Sequence, residues 1–254
     1  MNKLCVSILA GGHGKRMNGI VPKILQEVNS KPMIINIIDQ VLFLSPAKII
    51  IVTNQNKSLI KSTVHKYYPN IRIKYAIQLN ALGTGHAMMS ALNYIDNNMN
   101  VLILNGDVPL ITYNTLKSIY ESYLALESKL LVTTIRKSNP FGNGRIILDN
   151  NKNIISIVEE KDCTYEQKLI NLINCGIYIT NYDVLTKYLP KITNCNKQRE
   201  YYLTDIVKIY LDNESIKITL HELSPSNENE IYNVNTMEDL SYVNRIYSQI
   251  NINN

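Results

Sequence analysis

Lys15, Arg16 and Lys23 place three cations within nine residues, and the same stretch carries Gly11, Gly12 and Gly14. Glycines let a chain turn tightly with its amide N–H groups bare. Bare amides beside cationic side chains make a cradle for phosphate oxygens. The cradle follows the apolar run Leu4–Leu9, whose length and glycine boundary predict a buried strand, the first of a parallel sheet. An ordinary Gly-rich turn with solvated basic residues is the plainer alternative. Two familiar phosphate loops are excluded. Gly14-Lys15 is followed by Arg16 where a Walker loop needs Ser or Thr, and Met17 stands where the dinucleotide fingerprint has its third glycine.

Further polar residues follow other apolar runs. Asp107 comes after the run 101–104, with Gly106 before it and Pro109 two residues on. Ligands of open α/β sheets bind beyond the carboxyl ends of the strands, and a carboxylate there suits Mg²⁺ carrying phosphate oxygens. A turn-former or an N-cap is the alternative for it. Gly83-Thr84-Gly85 forms a second turn that, with the amide of Gln78, can hydrogen-bond a planar base edge, although Thr84 also reads as a helix N-cap. His86 reads as a packing or capping histidine. Glu159 follows a strand and Asn174 sits inside one, and both can grip sugar hydroxyls or an acetamido group; taken singly, each is more often structural. Asn235 is either a second neutral metal ligand or the N-cap of the last helix.

The elements that must position these groups alternate. Helices are expected over 33–44, 57–68 (stopped by Pro69) and about 87–95, with strands over 49–53, 71–77, 101–104 and 130–135. That βαβ rhythm predicts an α/β fold, a Rossmann-like doubly wound and mostly parallel sheet. Shorter elements over 142–146, 154–158 and 172–179 predict a small lobe over the sheet's carboxyl edge. Glu200 to Asp205 are expected to open a helix running to about 211, and residues 237–250 the closing helix.

With 254 residues, 45% hydrophobic and 19% charged, the composition is that of an ordinary globular protein. The formal net charge of +5 is spread without blocks, which favours phosphate-bearing small molecules over nucleic acid. Cys5, Cys163, Cys175 and Cys195 lack metal-site spacing and read as reduced structural thiols. The N-terminal apolar run is too short for a secretory segment and nothing approaches a membrane span, so a soluble cytoplasmic protein is expected.

The first loop resembles the signature of sugar-1-phosphate nucleotidylyltransferases, L-x-G-G-x-G-x-R-M followed by Pro22-Lys23. Four further segments resemble, in order, the uridylyltransferase domain of the bifunctional GlmU enzymes: L-G-T-G-H-A at 82–87, G-D-V-P-L at 106–110, G-x-G-R-I at 142–146 and E-Y-Y-L-T-D at 200–205. The resemblance implies one nucleotidyltransferase domain over 1–254. Its nucleotide-binding part would cover about 1–135, its sugar-binding lobe about 136–235, and its closing helix 236–254.

The resemblance also implies a reaction of UTP with N-acetylglucosamine 1-phosphate that gives UDP-N-acetylglucosamine and pyrophosphate. Leu9, Ala10, Gly11, Gly12, Gly14, Lys15, Lys23, Gln78, Gly83 and Thr84 would hold the nucleotide. Arg16, Lys23 and Asp107 would be catalytic, with Asp107 and Asn235 binding Mg²⁺. Asn105, Gly144, Glu159, Asn174 and Thr204 would face the sugar. The chain departs from the family at Lys15 (usually Thr), Gly11 (often Ala) and Asn105 (commonly Tyr), and it carries no hexapeptide repeat, so acetyl transfer is not expected. A monomer or dimer is expected. The alternatives are a uridylyltransferase for another sugar 1-phosphate, such as glucose 1-phosphate, and a catalytically silent nucleotide-sugar binding module. Molybdenum-cofactor guanylyltransferases and isoprenoid cytidylyltransferases share the first loop, but they are shorter and the similarity after Gly142 argues against them.

Overall fold

A strand covered by helices on both faces needs apolar residues on both faces, and the runs Leu-Cys-Val-Ser-Ile-Leu and Lys-Ile-Ile-Ile-Val-Thr supply them. The computed structural model describes residues 3–12, 17, 21–125 and 128–252. In chain order, β1 (Leu4–Leu9) leads through the short hairpin β2 (Glu27–Val28) and β3 (Lys31–Pro32) to α1 (Met33–Leu42). Then come β4 (Lys48–Thr53), α2 (Lys57–Tyr67), β5 (Ile73–Ile77), α3 (Thr84–Ala91), β6 (Asn100–Asn105), α4 (Tyr113–Ala125) and β7 (Leu130–Arg136). A second hairpin, β8 (Arg145–Leu148) and β9 (Ile154–Val158), precedes α5 (Tyr165–Lys168), β10 (Leu172–Asn181), α6 (Tyr182–Tyr188), α7 (Asp205–Leu211), β11 (Thr219–Glu222) and α8 (Met237–Ile252).

The main sheet runs β11-β7-β10-β6-β1-β4-β5, with the β8–β9 hairpin attached to β10. Every main strand points the same way except β10, which is antiparallel to both β6 and β7. The mostly parallel α/β sheet expected from the alternation is therefore present, with one reversed strand inserted. Val6, Ile8, Ile49 and Ile51 pack on α1, α2 and α4 on one face. Cys5, Ile50, Val52 and Val101 pack on α3, α6 and α7 on the other.

Chain order reverses beside β1: β4 and β5 lie on one side of it and β6 on the other. Such a switch leaves a crevice beyond the carboxyl ends of the two strands. The residues after β1, from Ala10, and after β6, from Gly106, form its lips. The amide of Gly106 donates to the carbonyl of Leu9 at 2.8 Å, so the lips are joined at their base. A third apolar cluster of Val28, Met33, Val234, Leu240 and Val243 docks α8 against α1 and the first hairpin, and so fixes the segment carrying Asn235.

Two helix starts differ from expectation for one reason. Tyr201 N–H donates to Leu82 O and Gly85 N–H to Tyr201 O, both at 2.7 Å. This extended pairing keeps residues 200–204 out of helix, so α7 begins at Asp205 and not at Glu200. It also holds Gly83 at φ +105° against Tyr201, where an added Cβ would lie 2.5 Å from Tyr201 O. That close approach requires glycine, and α3 starts directly after it at Thr84, ahead of the expected 87.

Candidate active site

Two cavities open along the carboxyl edge, of about 520 and about 380 Å³, within the range of small-molecule sites. The first is lined by Ala10, Gly11, Gly12, Lys23, Gln78 and Gly83, and the second by Gly144, Glu159, Asn174 and Thr204. Leu9, Thr84, Asn105, Asp107 and Asn235 line both, so the two cavities meet at those residues. Each site residue expected from sequence lines one or both, except Gly14, Lys15 and Arg16, which lie outside the described residues.

At the junction, Lys23 Nζ donates to Asp107 Oδ2 at 2.5 Å and to Asn235 Oδ1 at 3.2 Å. The other oxygen of Asp107 accepts from Asn233 Nδ2 at 2.8 Å, and its backbone carbonyl accepts from Val234 N at 2.9 Å. Asn235 does not cap α8. Thr236 Oγ1 accepts from Asp239 N, and Asp239 Oδ2 accepts from the amides of Asn235 and Thr236, leaving the Asn235 side chain to face the cavity. One carboxylate oxygen and one amide oxygen thus converge on a single point held by an ammonium group. Hard oxygens gathered on a cation fit Mg²⁺, which takes its other ligands from phosphates and water.

In the first cavity, Gln78 is buried, and its Nε2 donates to Gly83 O at 3.0 Å and to His86 Nδ1 at 3.1 Å. Both amide hydrogens are then used. A Cβ on Gly11 would stand 2.5 Å from its Oε1, the far end of a flexible side chain, so alanine there would make the Gln78 amide shift. Thr84 is not a cap either, because its Oγ1 accepts from Leu203 N at 3.0 Å and ties the two cavities' walls together.

In the second cavity, Thr204 Oγ1 donates to Glu159 Oε1 at 3.0 Å and Asn174 Nδ2 donates to Tyr178 OH at 2.6 Å. Gly144 packs against Glu159, and its carbonyl accepts from Asn174 N at 2.9 Å. Asn174 opens a bulge in β10 that is turned by Gly176 at φ +72°. A Cβ on Gly176 would meet Asn105 Nδ2 at 2.6 Å, so the amide that replaces the family's Tyr packs on this glycine.

A model of the Nucleotidyl transferase family matches residues 6–222. The chain belongs to that family. Among relatives of this nucleotidyl transferase, the Acanthamoeba polyphaga mimivirus protein named "Probable UDP-N-acetylglucosamine pyrophosphorylase" is 47% identical over 96% of this chain and 96% of its own length. "Bifunctional protein GlmU" of Thermoanaerobacter pseudethanolicus is 42% identical over 84% of this chain but only 45% of its own length, so the chain spans about half of that relative. A solved UDP-glucose pyrophosphorylase in complex with UDP-glucose superposes with a TM-score of 0.75 at 19% identity, covering 98% of this chain and 99% of that one, which shows a shared fold. Among the described residues no helix is long and apolar enough to cross a membrane.

Sequence reasoning passed over several residues that build this nucleotidyl transferase's cavities. Asn54 Nδ2 donates to Gly11 O at 3.2 Å and pins the first turn, and Asn233 orients Asp107. Both are asparagines in an asparagine-rich chain, where a single one carries no signal. The roles of Lys137 and Arg145 were passed over as well, although a cation at or beside a buried strand position is unusual.

Carboxyl groups behind the second cavity are shifted. Burial raises the Glu159 carboxyl above the ordinary range, partly offset by the Thr204 hydroxyl. Asp205, the first residue of α7, is pushed up to about 6, by burial first and then by the charge of Asp162. An unfolded aspartate releases its proton near pH 3.9, at about that value in model peptides. Between about pH 4 and pH 6 the folded chain therefore holds a proton that the unfolded chain has lost, and stability falls as pH rises through that window. Asp205→Asn removes this loss, so its melting temperature gains on the wild type from pH 4 to pH 7. Parallel melting curves across that range would reject the assignment.

Proposed function

We propose that this nucleotidyl transferase moves UMP from UTP to N-acetylglucosamine 1-phosphate and releases pyrophosphate. The observation that carries the reading is the junction of the two cavities at Asp107 and Asn235 under the Lys23 ammonium. A nucleotide in one cavity and a sugar in the other would meet there through their phosphates. The sugar phosphate is already an anion, so no general base is needed. One of its oxygens attacks the α-phosphorus of UTP, and the bond to the bridging oxygen breaks as pyrophosphate leaves.

The obstacle is the approach of two anions, so catalysis rests on placement and neutralisation. The Gly11 and Gly12 amides hold the triphosphate, and Lys23 neutralises charge at the junction. Mg²⁺, held by Asp107 and Asn235, would supply Lewis-acid screening of the phosphates. Gln78 Oε1, left as an acceptor, suits the N3–H of uracil and opposes cytosine, whose N3 is itself an acceptor. Glu159, Asn174 and Thr204 face the sugar hydroxyls and acetamido group.

The test is pyrophosphate release with Mg²⁺ for four nucleoside triphosphates against several sugar 1-phosphates. UTP with N-acetylglucosamine 1-phosphate is expected to be the best pair, and CTP at least about tenfold poorer because of the mismatched acceptor. Faster turnover with glucose 1-phosphate would move the reading to that sugar. Binding of UDP-N-acetylglucosamine without release from any pair would leave a silent binding module.

A further inference from the structure

Lys137 is the first residue past β7, and strand alternation turns it inward after the exposed Arg136. Only 9% of its surface is exposed, and it lines the second cavity. Its ammonium has three donors and little to give them to. The nearest carboxylate oxygen, on Glu228, is 3.7 Å away, beyond hydrogen-bond length, and that side chain is itself 44% exposed. The Tyr232 ring centre is 5.8 Å away, a distance at which a cation–π contact orients the lysine but satisfies none of its donors. A lysine so buried and so poorly paired is rare unless a ligand completes it.

The charges around it define that ligand. The described residues lining the second cavity include the carboxyl groups of Asp107 and Glu159, and Lys137 is the one lysine or arginine among them. Lys23 lines the first cavity and is already engaged by Asp107 and Asn235. A sugar 1-phosphate brings a group of charge roughly −1.5 to −2 into this acidic space. Tyr232, under the lysine, is followed by Asn233, which holds Asp107, so the lysine and the junction share one wall.

We propose that Lys137 binds the phosphate of the sugar 1-phosphate and holds the incoming nucleophile on the sugar side of Asp107. The assignment rests on the reading under Proposed function. It adds a residue that none of the family motifs quoted above includes.

The experiment compares the full chain with Lys137→Met, which keeps the stem and loses the charge, and with Lys137→Arg, which keeps the charge. KM is measured for each substrate, and calorimetry follows binding of N-acetylglucosamine 1-phosphate and of uncharged N-acetylglucosamine. K137M is expected to raise KM and Kd for the sugar phosphate about tenfold or more, the effect of losing a charge-assisted bond. KM for UTP and Kd for the free sugar stay within about twofold, K137R recovers most of the loss, and K137M melts no earlier than wild type because a poorly paired buried charge is gone. Unchanged affinity for the sugar phosphate in K137M overturns the assignment. Equal weakening of free sugar and sugar phosphate overturns it too, since that would mark a role in cavity shape or in contacting the sugar itself. A chain that released no pyrophosphate, yet lost sugar-phosphate affinity on K137M, would refute the proposed reaction and keep this site.

Discussion

Alanine at Asp107 is expected to lower turnover by about a thousandfold or more, the upper end of what one lost electrostatic stabiliser costs, while the chain stays folded. The carboxylate does three things at the junction. One oxygen holds Lys23 at 2.5 Å, the other accepts from Asn233 at 2.8 Å, and the group sets a carboxylate beside the Asn235 amide oxygen where the two cavities meet. Removing it leaves the Lys23 ammonium on the Asn235 amide oxygen alone, and would leave a bound Mg²⁺ one neutral protein ligand. The fold should tolerate this, because the backbone carbonyl of residue 107 still accepts from Val234 N and the lost atoms border an open cavity. Asp107→Asn separates charge from shape: it keeps an acceptor for Asn233 and should be nearly as inactive. Pyrophosphate release beside thermal melts decides the matter. Retention of more than a tenth of wild-type turnover by D107A would remove Asp107 from the chemistry.

That aspartate was legible because it follows a buried strand, and the carboxyl end of a parallel sheet is fixed by local pattern alone. The same holds for Gly11, Gly12 and the β1–α1–β4–α2–β5 alternation. What local pattern does not carry is pairing between distant segments. Nothing in the run Leu172–Asn181 announces that β10 inserts antiparallel between β6 and β7, yet that insertion brings Asn174 beside Gly144 and Asn105 beside Gly176. Thr84 reads as a helix cap until Tyr201 and Leu203, over a hundred residues later, take up the polar groups of its turn. The asparagines divide the same way. Asn174 stood out among apolar neighbours, whereas Asn54 and Asn233 sit in polar stretches where only the folded contacts reveal them.

Arg145 gives the second large effect, on stability. Its side chain is fully buried, with Nη2 2.7 Å from Glu160 Oε2 and Nη1 donating to the carbonyl of Asn143. The same Glu160 oxygen accepts from Gly142 N at 3.1 Å, so one carboxylate ties the 142–145 loop to the segment after β9. Arg145→Ala strands that carboxylate, and breaking one side of a buried pair costs about 3–5 kcal/mol. Chemical denaturation should read that loss, and KM for the sugar phosphate should rise more than KM for UTP, since Gly144 lines only the second cavity. The double variant Arg145→Met with Glu160→Leu separates the two effects. Apolar residues of similar volume often replace a buried ion pair without loss, so stability should return toward wild type. Sugar-phosphate affinity should not return, because Gly142 has lost its acceptor and the loop its tether. A double variant that recovers both would show that the ion pair only fills space. A single variant that loses less than about 1 kcal/mol, the range of an exposed pair, would show that Glu160 is free to turn to solvent.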